Sequence, residues 1–171
     1  MEQTFIEHRL PQNVTNLALN RDLPYEYQGN WPSCVAASLK MALRYNNVSS
    51  PSHREIYKQM RRECCGGGWG GLAISHAASY ARRLGCQVWS GRGTIDTLKY
   101  YTDLDIPVVV GCIAHGGGAH AIVVTKVTKK YVYYKNPRSG DHREHQHPID
   151  DFSRRWRNDG SEYAAIGGLK R

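Results

Sequence analysis

No run of about 18 apolar residues, the length a membrane-crossing helix needs, occurs in this chain. The opening stretch, Met1 to Pro11, carries Glu2, Glu7, His8 and Arg9 and no apolar core, so no secretory signal is expected. Internal repeats and low-complexity tracts are absent, which excludes solenoids and compositionally disordered tails. The five cysteines (34, 64, 65, 86 and 112) form no C-x-x-C pair and no zinc-finger spacing. Adjacent Cys64 and Cys65 are expected not to bond to each other. These features predict free thiols in a reducing compartment: a cytoplasmic protein, or one exported without a classical signal. No zinc-finger or stacking-platform signature points to nucleic acid.

What is present suits one soluble globular domain over residues 1–171, with residues 1–27 as a leading arm punctuated by Pro11 and Pro24. Lys and Arg number 23 against 15 Asp and Glu, a formal net charge of +8. Short basic runs lie at residues 58–62, 129–130 and 154–157. Such a surface raises encounter rates with acidic partners without choosing among them, and a solvated basic face is its plain reading.

Helices come first along the chain. Residues 34–46 are rich in Ala, Leu and Met on nearly every side, which predicts a buried helix. Ser52-His53-Arg54-Glu55 reads as a capping box opening a second helix to about Cys64. Five glycines within residues 66–71 predict a loop. A third helix is expected from Leu72 to Leu84, stopped by Gly85, and a fourth from Thr94 to about Thr102. The period then changes. Residues 107–114 (PVVVGCIA), 120–128 (HAIVVTKVT) and 131–136 (YVYYKN) read as strands, the last two joined as a hairpin at Lys129-Lys130. Residues 150–157 read as a short helix and 162–169 as a final strand. The fold class is α+β, with an antiparallel sheet.

The chemistry concentrates on a few residues. Cys34 sits in the first turn of the buried helix, where the partial positive charge of a helix N-terminus favours a thiolate. Cys64 and Cys65 lie at a helix C-terminus, the wrong end, and Cys112 lies inside a strand. His120 opens a strand after the small-residue run Gly116-Gly117-Gly118-Ala119, which leaves room for a substrate. Hairpin geometry places Asn136, at the end of the next strand, beside His120, where an amide can fix the imidazole tautomer. Gln28 could donate to a developing oxyanion together with the Cys34 N–H.

The stretch Gln28-Gly29-x-x-x-Ser33-Cys34-x-Ala36-x-Ser38 is similar to the papain and cathepsin signature around the nucleophile. His120-Ala121 followed by Asn136, and Cys65-Gly66-Gly67-Gly68-Trp69-Gly70-Gly71 before a helix, resemble that family's histidine, asparagine and glycine-rich segments. The intracellular bacterial branch that trims double-glycine leader peptides is also similar, with Asn136-Pro137 in place of its commoner Asp-Pro. The resemblance covers roughly residues 25–137. It implies a papain-like fold with a helical half, a sheet half and a cleft between them. It implies peptide or isopeptide hydrolysis through a thioester, with Cys34 as nucleophile, His120 as base and acid, Asn136 as its orienter and Gln28 as oxyanion donor. Gly67, Gly68, Trp69, Gly70 and Ala119 would line the substrate cleft; no cofactor and no metal are implied. The cysteine common before the nucleophile is missing from Asn30-Trp31-Pro32, and Pro137-Arg138 replaces the tryptophan common after the asparagine.

Plainer readings stand beside these. Alone, Cys34 is a buried helix cysteine, Asn136 a turn former before proline, and Gln28 a surface residue; together they make a constellation. Trp31 and Trp69 either line the cleft or fill the core. His115 competes with His120 but has no asparagine at the matching spacing. His142, His145 and His147 lack the cysteine and regular spacing of a metal site. Gly167-Gly168 could mark self-release but reads more simply as a strand end. The same fold also serves amidases, deamidases and transamidases acting as effectors, and inactive peptide-binding modules. The partner expected is a peptide or protein, acidic ones being favoured by charge.

Overall fold

The computed structural model describes residues 18–113 and 119–171. The predicted strand end at Ala114, the competing His115 and the glycines at 116–118 lie outside them, as do residues 1–17 of the leading arm.

The elements in order are α1 (Cys34–Tyr45), α2 (His53–Cys65), α3 (Ile74–Arg83), β1 (Cys86–Arg92), α4 (Ile95–Asp103), β2 (Val108–Ile113), β3 (Ala119–Val127), β4 (Tyr131–Lys135), β5 (His145–Pro148), α5 (Ile149–Asn158) and β6 (Glu162–Leu169). The six strands form one sheet in the order β1-β6-β2-β3-β4-β5, and every neighbouring pair is antiparallel. The α+β architecture matches the reading of the sequence.

Alternation along the central strands explains how both sheet faces are covered. In β2, Val109 faces a cluster with Leu39, Met41, Leu43, Ile56 and Ala77 from α1–α3. Its neighbours Val108 and Val110 face Leu98 of α4 and Phe152 and Trp156 of α5. A strand buried on both faces needs consecutive apolar residues, which is why this run is unbroken valine. Ala36, Ala37, Leu39, Met41, Ala42 and Leu43 of α1 are all fully buried, so the helix bearing Cys34 is the spine of the first cluster.

Helix ends follow local chemistry. Ser52 caps α2, its Oγ accepting the Glu55 N–H at 3.2 Å. Gly66 closes α2 in the left-handed region at φ 70°, a conformation that costs a glycine nothing. Asn46 ends α1 and ties it to β6, donating from Nδ2 to the carbonyls of Ala42 at 2.9 Å and Ile166 at 2.8 Å.

Two strands were not legible in the sequence. β1 and β5 are edge strands, each with one neighbour. Neither shows clean alternation or a β-branched run, because an edge strand buries little. β1 also places a strand between α3 and α4, so the helices do not all precede the sheet.

The expectation of five free thiols is corrected. Cys64 and Cys65 are joined by a disulfide, and Cys34, Cys86 and Cys112 are free. Both bonded residues are exposed in the last turn of α2, where the chain is leaving helical geometry toward Gly66 and neighbouring side chains can turn together.

Candidate active site

Cys34 is the first residue of α1 and is half-buried. The backbone N–H groups of Ala121, Val35 and Cys34 itself favour its thiolate. Ala121 follows His120 on β3, so the start of α1 lies near that strand. Burial raises the thiol pKa above its ordinary value; the three N–H groups and the Arg138 charge oppose it without reversing it. Burial of the sulfur is the largest influence, so its pKa stands above its ordinary value and not below it as the helix terminus alone would suggest.

His120 is 4% exposed and pairs across the sheet with Cys112. Its Nε2 lies 2.7 Å from Asn136 Oδ1. That oxygen also accepts the Arg138 backbone N–H at 3.0 Å. A backbone N–H can only donate, so it identifies the amide oxygen and fixes which way Asn136 points. Nε2 must then carry the ring proton, and Nδ1 is left as a bare acceptor. Nδ1 is buried with no hydrogen-bond partner. Burial lowers the imidazole pKa, the Asn136 hydrogen bond raises it, and Arg138 lowers it again, with burial the largest influence.

Asn136 is held from behind. Tyr25 Oη donates to its carbonyl at 2.8 Å, and the Gln28 N–H donates to the Pro137 carbonyl at 2.9 Å. Lys135, 3% exposed, pins the same strand end by pairing with Asp22 at 3.1 Å and donating to the His142 carbonyl.

Gln28 is 5% exposed. Its Nε2 donates to the Trp31 carbonyl at 2.9 Å, which engages one of its two protons. Gln28 Oε1 is buried and without a partner. The amide is thus fixed by the turn that leads into Cys34.

The glycine-rich loop is held, not loose. Tyr57 Oη donates to the Gly70 carbonyl at 2.7 Å and stands 2.9 Å from the Gly70 N–H. The Arg61 guanidinium reaches the carbonyls of Gly71, Gly67 and Trp69 at 3.1, 3.3 and 3.5 Å. A Cβ on Gly70 would meet that guanidinium at 3.3 Å. Trp69, 63% exposed, packs its ring 4.9 Å from Trp31, three residues before Cys34. Trp69 therefore lies beside the turn that leads into Cys34, Gly67, Gly68 and Gly70 belong to the same clamped loop, and Ala119 is exposed at the start of β3 next to His120.

Arg138 was missed as a site residue. It is exposed and acts electrostatically on Cys34, His120 and Cys112 alike. Its only signal in the sequence is a cation two residues after Asn136. Of the clustered histidines, His142 lies 4.7 Å from the Tyr25 ring, His145 stacks on Tyr134 at 5.7 Å, and His147 pairs with Asp151 at 3.2 Å. Among the described residues no group of His, Cys, Asp and Glu could hold a metal ion.

A family model described as Peptidase C39 like family matches residues 20–164. The chain belongs to that family. Its fold is similar to that of a C39-like peptidase from Bacillus anthracis, with a TM-score of 0.75 at 16% identity over 90% of this chain and 98% of that one. A double-glycine motif protease from an AMS/PCAT transporter, solved with its leader peptide, gives a TM-score of 0.62 at 19% identity, covering 89% and 98% of the two chains. The peptidase domain of Streptococcus ComA, a bifunctional ABC transporter of a quorum-sensing pathway, gives 0.67 at 18% identity, covering 86% and 99%. No curated protein matches the chain. As a member of this family the chain is a peptidase, and its papain-like α+β fold accords with these neighbours. No helix among the described residues is long and apolar enough to cross a membrane.

Proposed function

We propose that this protein cleaves peptide bonds through an acyl thioester on Cys34. The observation that carries the reading is the Nε2–Oδ1 contact of 2.7 Å, oriented by the Arg138 N–H, which leaves Nδ1 of His120 bare one residue before Ala121, whose backbone N–H favours the Cys34 thiolate.

Burial disfavours charge on both partners, raising the Cys34 thiol pKa and lowering that of the His120 imidazole. As Sγ attacks the scissile carbonyl, its proton passes to Nδ1 and the carbonyl electron pair moves to oxygen. The Cys34 N–H and the second Gln28 Nε2 proton stabilise that oxyanion. The tetrahedral species collapses, the C–N bond breaks, and His120 returns the proton to the leaving amine. Water then loses a proton to Nδ1 and attacks the thioester; the acid leaves and the thiol is restored. Asn136 holds the ring and the tautomer throughout.

An extended peptide would run between the residue 66–71 loop and the start of β3, with Gly67, Gly68, Trp69, Gly70 and Ala119 beside it. The leader peptide bound to one structural neighbour supports a peptide substrate of this kind.

The test is a peptide library incubated with wild type and Cys34→Ala and followed by mass. The reading expects cut fragments, each pair heavier by one water, that vanish in Cys34→Ala. Cleavage persisting in the variant would sink the mechanism. A single product about one mass unit heavier than an intact substrate would instead identify a deamidase using the same acyl chemistry.

A further inference from the structure

Arg54 and Lys58 stand one helical turn apart on α2, and both are exposed. Each is directed at the ring of Trp31, with Arg54 Cζ at 5.2 Å and Lys58 Nζ at 5.8 Å from its centroid. Neither has a carboxylate partner among the described residues. The nearby carboxylates are taken: Glu26 by Arg44 at 2.9 Å and His53 at 3.3 Å, and Glu55 by Arg62 at 3.5 Å. Arg61, the next cation along α2, is committed to the loop carbonyls.

These two charges therefore sit unneutralised on an aromatic shelf. Trp31 meets Tyr57 edge-on at 5.9 Å and Trp69 at 4.9 Å, and Trp69 leaves most of its surface to solvent. The shelf is continuous with the proposed cleft. Trp31 belongs to the turn between Gln28 and Cys34, and its carbonyl holds the Gln28 amide. Arg54 reaches Gly29, where an added Cβ would lie 3.7 Å from its guanidinium.

We infer that this shelf docks an acidic stretch of the polypeptide substrate, its carboxylates meeting Arg54 and Lys58 and its backbone lying over Trp69. That the occupant is a substrate rests on the proposed peptidase activity; the surface itself does not. Charge complementarity selects the occupant, since two uncompensated cations beside a cleft favour carboxylates over neutral or basic side chains. Single-stranded nucleic acid fits less well. It needs free aromatic faces on which successive bases stack, whereas Trp31 is already covered by Arg54, Lys58, Tyr57 and Trp69.

The experiment uses the full chain carrying Cys34→Ala, so that bound peptide is not consumed. Fluorescence anisotropy compares a labelled glutamate-rich peptide, its glutamine counterpart and an oligothymidylate. The background is then varied with Arg54→Gln/Lys58→Gln, and with Lys129→Gln/Lys130→Gln at the β3–β4 turn as a control of equal charge change. The glutamate peptide should bind best and weaken with added salt. Arg54→Gln/Lys58→Gln should weaken it by about fivefold, and the control should not. Equal binding of the glutamate and glutamine peptides, equal loss in both double variants, or tighter binding of the oligothymidylate would overturn the proposal. Thermal unfolding of each variant confirms that these exposed substitutions leave the fold intact. The active chain separates the two readings when it digests a peptide library. Cleavage without shelf binding removes this proposal and leaves the peptidase; shelf binding without cleavage removes the peptidase and leaves the surface.

Discussion

The residue that links chemistry to stability is His120. Its imidazole is buried neutral, with a pKa below the ordinary 6.5, chiefly because burial penalises the charged form. The unfolded chain, with its ordinary value, takes up the proton first as pH falls. His120 therefore contributes stability that is complete above 6.5 and is lost as pH falls from there through the lower folded value. Urea unfolding midpoints should fall across that window in wild type, and the fall should be smaller in His120→Gln; an identical pH dependence in both would contradict the assignment. The same shift keeps Nδ1 able to accept a proton below 6.5, so the acid limb of kcat/KM belongs below that value. Arg138 adds to this from the side, disfavouring the imidazolium while favouring the thiolate. It was invisible in the sequence because a cation after a turn is a common surface feature. Asn136 was legible because hairpin geometry alone brings the end of β4 to the start of β3.

At the scale of elements, the glycine-rich loop takes its shape from α2. Glycines 66, 67, 68 and 70 all have positive φ, so the loop has no rigidity of its own. Tyr57 and Arg61 supply it through hydrogen bonds to four loop carbonyls and one loop N–H. Tyr57→Phe keeps the buried ring and removes only the two Gly70 contacts. It should cost about 1–3 kcal/mol, read as a fall in Tm of roughly 2–4 °C for each kcal/mol, and should raise KM more than it lowers kcat. An unchanged KM would show that the loop is not a substrate wall. The sequence displayed the loop but not its clamp, since nothing in a helical Tyr or Arg announces which turn it will reach. The Cys64–Cys65 disulfide was missed for a related reason: it depends on the geometry of a helix end, which residue spacing does not reveal. The helices and central strands were legible within a residue or two because their periods are strong. β1 and β5 were not, since edge strands bury too little to leave a pattern.

Over the whole molecule, topology explains why two distant segments meet. The sheet order puts β3 near the centre, α1 packs on it, and the first residue of α1 lies near Ala121, the residue after His120 on β3. Gln28 and Asn136 are joined by the strap of hydrogen bonds from residues 25–28 to residues 136–137. The net charge of +8 is spread over this frame. The central claim is that one thiol of three is activated by a fixed imidazole. Alkylation with iodoacetamide near neutral pH, followed by intact mass and peptide mapping without reductant, tests it directly. Cys86 is fully buried, and burial pushes the Cys112 thiol up to about 11, so neither should compete. The account predicts a single modification at Cys34, slowed markedly in His120→Ala and less in Asn136→Ala. Labelling of Cys34 and Cys112 at similar rates, unaffected by His120→Ala, would contradict it.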